Sequence, residues 1–174
     1  HSVIYSEFNM SSKDFGYHPN PKQNSKNKNL RCAIKNSLDW ESRKNSYYHG
    51  IAKIFPGVIP PGIKGYSNQI KDHFNPQKNI PKAIKILKIN KWKTSDFPEL
   101  SYPSLSSIQS KLEFENFKNS LLKIGYPKKK IKIHEYSNYS SYYRALKEGK
   151  HNFHSWQAWF LDYPDAHSSL SLYY

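Results

Sequence analysis

The chain has 174 residues, enough for one hydrophobic core, and with 37% hydrophobic and 16% aromatic residues it falls outside the disordered class. A formal charge of +14 raises nucleic-acid binding as a first hypothesis. The lysines are dispersed, however, the tightest cluster being Lys128–Lys130, and no nucleic-acid motif accompanies them, so no nucleic-acid partner is expected.

Along the chain, Val3–Met10 reads as a strand and residues 11–29 as a polar loop rich in Lys, Asn and Pro. Leu30–Asp39 places Leu30, Ile34 and Leu38 on one helical face with Ala33 beside them. Cys32 is the single cysteine, so an internal disulfide is excluded, and its apolar neighbours predict a small buried side chain. A second short helix closes at Tyr48-His49-Gly50, where the glycine serves as a stop. Phe55–Tyr66 contains three prolines and three glycines and reads as an irregular crossing segment.

Asn79 then caps a helix with Pro81 in its first turn, and Ala83, Ile84 and Leu87 share a face. Leu100–Tyr102 is a strand start interrupted by Pro103, which would confine that residue to an edge or an exit. Phe114, Phe117, Leu121 and Ile124 recur at helical spacing, Gly125 stops the helix, and Ile131–Tyr136 alternates as a strand. Together these make most of a βαβ unit. Tyr139–Lys147 reads as a short helix with Tyr143 and Leu146 together, followed by a turn at Gly149.

The stretch His154–Ala166 carries two tryptophans into an acid and then a turn, and it reads as a buried strand ending near Asp162. A carboxylate at an aromatic-walled strand end can hold a cation through charge-assisted hydrogen bonding and cation–π attraction from the indoles. The simpler alternative is that Asp-Tyr-Pro-Asp starts a turn and that the tryptophans are core. Among the histidines, His151 and His154 are three apart and would face opposite ways on a strand, so no metal and no cofactor is expected. No Gly-rich phosphate loop, no Gly-x-Ser-x-Gly elbow and no partnered nucleophile is present, and an enzyme is the least favoured class.

Several of these stretches match one family in order. Leu30-Arg-Cys-Ala-Ile resembles its Leu-Arg-x-Ala-Ile helix, and Val58-Ile-Pro-Pro-Gly-Ile-Lys-Gly-Tyr66 its Ile-Pro-Pro-Gly-x-x-Gly-Tyr loop. Trp159-Phe-Leu-Asp162-Tyr-Pro-Asp165 is similar to its Trp-x-x-Asp-Tyr-x-Asp-Pro motif. The family is that of the extracytoplasmic solute-binding proteins, family 5, which serve oligopeptide, dipeptide and nickel ABC importers.

The resemblance implies an α/β fold, specifically one lobe of a type II periplasmic-binding-protein-like fold with a mixed sheet flanked by helices. It covers residues 1–174 as a single second, or C-terminal, lobe without the first. It further implies a periplasmic or extracytoplasmic monomer, membrane-associated through the transporter, that presents peptides to the membrane permease of an ABC importer. Asp162 would anchor the peptide α-amino group, with Trp159, Trp156 and Tyr136 as walls. Tyr136 stands where the family has Trp, and Trp156 falls where some relatives carry a basic residue that meets a ligand carboxylate, so a dipeptide preference does not transfer. The competing expectation is a basic interaction or adhesion module for acidic polymers or a protein partner. No signal peptide, lipobox or membrane span is recognisable in the sequence.

Overall fold

Asn20 starts the longest helix, α1 (Pro21–Ser37): its side chain accepts from the backbone N–H groups of Lys22 and Gln23, and Pro21 occupies the first turn. The computed structural model describes residues 2–67, 69 and 76–171, apart from the side chains of Trp156 and Gln157. The polar loop expected over 11–29 is therefore cut short, its second half being helix. The reason is that the polar residues there serve the fold: Asn27, 1% exposed, donates to the carbonyls of Lys13 and Gly16, and Gln23 donates to Asn27. The helix binds the preceding loop with amides where an apolar stripe would have announced it. Further along, Leu30, Ala33 and Ile34 are fully buried, while Cys32 is only half-buried.

Helix α2 (Trp40–Tyr48) is capped by Asp39 and ends where His49 turns left-handed at φ 48°. Residues 51–66 contain no helix or strand, and Pro56 and Ile63 are their buried residues. Helix α3 (Ile80–Ile89), capped by Asn79, runs antiparallel to α1: the Asn79 N–H donates to Asn36 O and, at the opposite end, Asn29 meets Asn90. Ala83 and Leu87 put its inner face into the core.

Strand β2 (Leu100–Leu105), helix α4 (Ile108–Leu122) and strand β3 (Ile131–Tyr136) form the βαβ unit, with β2 and β3 parallel and Leu100 opposite Ile131. Pro103 does not interrupt β2, but β2 pairs with β3 alone among the described residues, so the proline lies on an edge strand as expected. The Ser101 N–H points away from β3 to Asn152 Oδ1 (2.9 Å), and backbone groups two residues apart face the same side, so the N–H that Pro103 lacks is one the ladder to β3 does not use. Helix α5 (Tyr139–Lys147) buries Tyr142, Ala145 and Leu146; Tyr143 is 44% exposed, so the tyrosine that accompanies Leu146 is the neighbouring one. The last strand, β4 (Phe153–Phe160), pairs antiparallel with β1 (Ser2–Phe8), and helix α6 (Ala166–Leu170) follows.

Two two-stranded sheets thus lie side by side, β1–β4 and β2–β3. Side chains join them: Asn152 receives the Ser101 N–H and donates to Glu99 O, and the Ser155 hydroxyl donates to Pro103 O. Beneath this seam Phe153 stacks on Phe117 at 4.7 Å and meets Phe8 edge-on at 5.2 Å, placing the start of β4 at the centre of the core. This mixed α/β arrangement, with sheets flanked by helices, is the expected fold class.

Candidate ligand-binding site

Strand β4 ends at Phe160, and two residues later Asp162 emerges on the surface, exposed. The turn is fixed by Ser168 at the start of α6, which is 1% exposed. Its hydroxyl accepts the Asp162 N–H at 3.1 Å and its carbonyl accepts the Trp159 indole N–H at 2.8 Å. Asp165 caps α6 through the His167 N–H, so of the two acids in the motif one is structural and the other is left without an ion partner among the described residues. The half-buried indole of Trp159 and the backbone of Asp162 are consequently held by one serine, while the Asp162 carboxylate is exposed. The expected contribution of the Trp156 side chain lies outside the described residues.

Tyr136 sits at the end of β3, half-buried, and its hydroxyl lies 2.6 Å from Nε2 of His151. The other ring nitrogen of His151 lies 2.6 Å from the Ser101 hydroxyl. That hydroxyl–imidazole distance suits a nucleophile and its base. His151 is only 3% exposed, though, and both its nitrogens are engaged, so the trio is a buried bracket across the seam between the sheets. Burial, reinforced by His134, His154 and Lys150, pushes the imidazole down to about 4, and the ring stays neutral at ordinary pH. Tyr136 is therefore half-exposed at the strand end while its hydroxyl serves the fold.

A second polar cluster lies under α2 and α4. Arg43 Nη2 is 2.5 Å from Glu113 Oε1, Nη1 donates to Ser6 Oγ at 3.3 Å, and the guanidinium lies 5.1 Å from the Trp40 ring. Glu113 is 5% exposed and its Oε2 accepts no hydrogen bond. Burial outweighs the neighbouring arginine and lifts the carboxyl to about 7. The pair borders a cavity of about 30 Å³ shared with Ser6, Tyr102, Asn116 and Phe153. A larger open hollow of about 520 Å³ lies outside it, between Trp40, Ile54, Pro56 and Gln77. Neither space is lined by Asp162, Trp159 or Tyr136. Among the described residues no His, Cys, Asp and Glu side chains gather as a metal site, and no helix is long and apolar enough to cross a membrane.

Sequence reasoning did not find His151 or the Arg43–Glu113 pair. Their partners come from strands and helices distant in the chain, and no local spacing signals them.

The sequence model described as "Bacterial extracellular solute-binding proteins, family 5 Middle" matches residues 1–174. No curated protein matches the chain. Among solved structures, the chain is similar to the periplasmic binding protein DppA from Helicobacter pylori in complex with the peptide STSA, with 23% identity, 97% of this chain and 29% of that one covered, and a TM-score of 0.72. It is similar to a dipeptide binding protein from Pseudoalteromonas sp. SM9913 in complex with Met-Leu, with 20% identity, coverage of 98% and 31%, and a TM-score of 0.74. It is also similar to HbpA2 from Haemophilus parasuis, with 16% identity, coverage of 97% and 30%, and a TM-score of 0.75. The chain thus spans about 30% of the length of these three structures.

Proposed function

Because this chain belongs to the bacterial extracellular solute-binding proteins of family 5, we propose that it forms one lobe, the C-terminal one, of a receptor that captures peptides and delivers them to the membrane permease of an ABC importer. Two of the structures it resembles hold peptides, STSA and Met-Leu, which supports peptides as the ligand class. The family is one of binding proteins, and a binding role without chemistry is the reading adopted here. The proposed location is extracytoplasmic, at the membrane through the transporter.

The observation that carries the proposal is Asp162. Its carboxylate is exposed and lacks an ion partner among the described residues, and its backbone N–H is held by the same buried serine whose carbonyl accepts the Trp159 indole N–H. On this reading Asp162 accepts the peptide α-amino group, Trp159 and Trp156 pack on the backbone and side chains, and Tyr136 offers its ring face. A second lobe closing over the peptide supplies the remaining contacts, and closure is the signal the permease senses, since only the shut state makes both sets of contacts.

The test is Asp162→Ala in the intact receptor, titrated with a short peptide by calorimetry. An exposed carboxylate contributes little to folding, so the melting temperature should hold while affinity falls at least tenfold, the charge-assisted bond to the amine being worth roughly 1.5–3 kcal/mol once covered. Unchanged affinity would remove Asp162 from the site.

A further inference from the structure

The antiparallel pair α1 and α3 forms an outer layer of the molecule, and its solvent side is basic without relief. Neither helix contains an aspartate or glutamate. Lys22, Lys28, Lys82, Lys85 and Lys88 are exposed and make no ion pair among the described residues. Of the acids near the pair, Asp96 is met by Lys26 at 3.3 Å and Asp39 by Lys78, while Asp14 lies in the loop before α1. Because Leu30, Ile34, Ala83 and Leu87 turn both inner faces to the core, the two lysine stripes lie side by side on the outside.

One residue on this face is out of place for a solvated surface. Ile89, one turn beyond Lys85, is 67% exposed among the lysines at the end of α3. From this combination we infer that the α1–α3 face docks on anionic lipid headgroups. Unpaired lysines lower the energy of approach to a negatively charged leaflet, and no carboxylate on either helix is pushed against the phosphates. Ile89 distinguishes a bilayer from a soluble polyanion, because only the bilayer offers an apolar phase just beneath the charge. Such docking is peripheral and places the lobe against the membrane independently of any contact with a permease.

The experiment is co-sedimentation of the intact protein with phosphatidylglycerol-containing vesicles and with pure phosphatidylcholine vesicles. Wild type should partition onto the first and not the second. The triple variant K82Q/K85Q/K88Q should lose roughly a hundredfold in partitioning, about fivefold per lysine. I89S should lose several-fold. The control K128Q/K129Q, in the lysine cluster elsewhere on the surface, should lose far less than the triple variant. Circular dichroism melts establish that all variants are folded, as expected for exposed positions. An absence of wild-type partitioning overturns the inference. So does a loss in the control comparable per lysine to that in the triple variant, which would mean that net charge alone is felt. A full effect of soluble polyphosphate as competitor combined with no effect of I89S also overturns it, and assigns the face to a soluble polyanion.

Discussion

Arg43→Met isolates a carboxylate that the fold has already buried. Glu113 is 5% exposed, its Oε2 has no hydrogen-bond donor, and Arg43 is the cation 2.5 Å away. In the wild type the carboxyl is lifted from 4.5 to about 7, burial exceeding the effect of Arg43. Between those values the folded state binds the proton that the unfolded state has released, so stability falls as pH rises through this window, by roughly 3 kcal/mol at about 1.4 kcal/mol per pH unit. Removing Arg43 raises the carboxyl further, so it stays largely protonated at pH 8, and linkage limits the cost added there to about 1.4 kcal/mol beyond that at pH 5, roughly 2–3 kcal/mol in all. At pH 5 the group is neutral in the fold, and the cost should shrink to the lost bond to Ser6 and some packing, about 1–2 kcal/mol. Urea denaturation at the two pH values measures this. The double variant R43M/E113L should regain most of the loss at pH 8, because an apolar pair of similar volume carries no charge to desolvate. An equal cost of R43M at both pH values, or a double variant no more stable than the single one at pH 8, would refute the argument.

His151 acts with the opposite sign: with its folded value pushed from 6.5 down to about 4, it contributes stability that is present above pH 6.5 and lost as pH falls toward 4. The two groups overlap between about pH 4.5 and 6.5, so the wild-type stability profile should be nearly flat there, E113Q should lose stability on acidification by roughly 3 kcal/mol, and H151N should lose it on alkalinisation; profiles parallel to wild type in both variants would contradict the assignment. Asn152→Ala cuts both side-chain bonds from the seam to β2, at a cost of roughly 2–3 kcal/mol, and should expose the Ser101 amide to faster hydrogen exchange; an unchanged exchange rate would show that the sheets do not depend on this bridge.

What could be read from the chain was what local spacing encodes. Ile131–Tyr136 and the bounds of Tyr139–Lys147 were legible because strand alternation and a glycine turn at Gly149 are properties of a few adjacent residues. The first half of α1 was not, because Gln23 and Asn27 satisfy loop carbonyls, and a helix that buries amides has no apolar stripe over those turns. Pro103 was legible as an edge position but not as a continuing strand, because a proline's cost depends on which neighbour its missing donor would have faced, a fact of topology. Choosing Tyr143 over Tyr142 was an error of one residue in helical phase. At the candidate site, Asp162 and Trp159 could be named from the strand-end motif, but Ser168, which fastens both, is an unremarkable serine in sequence. Tyr136 was visible as an aromatic at a strand end; that His151 claims its hydroxyl was not, since the two elements meet only in three dimensions.

The exposure of Asp162 has a consequence for this lobe by itself. A carboxylate in water gains at most about 1 kcal/mol from pairing with a cation, because solvent screens the attraction and competes for both partners. Trp159 is half-buried and offers only part of one indole face. Against these gains stands the loss of translational and rotational freedom on association, at least 4 kcal/mol, with further ordering of the peptide. Neither cavity bordering the Arg43–Glu113 region includes Asp162, Trp159 or Tyr136, so neither of these spaces encloses a ligand there. Calorimetric titration of the 174-residue chain with a tripeptide should therefore show no saturation at micromolar concentrations, whereas the same peptide should saturate the intact receptor. Tight binding by the lone lobe would mean that it carries a complete pocket elsewhere, and Asp162 would then have no claim to be the residue that holds the amine.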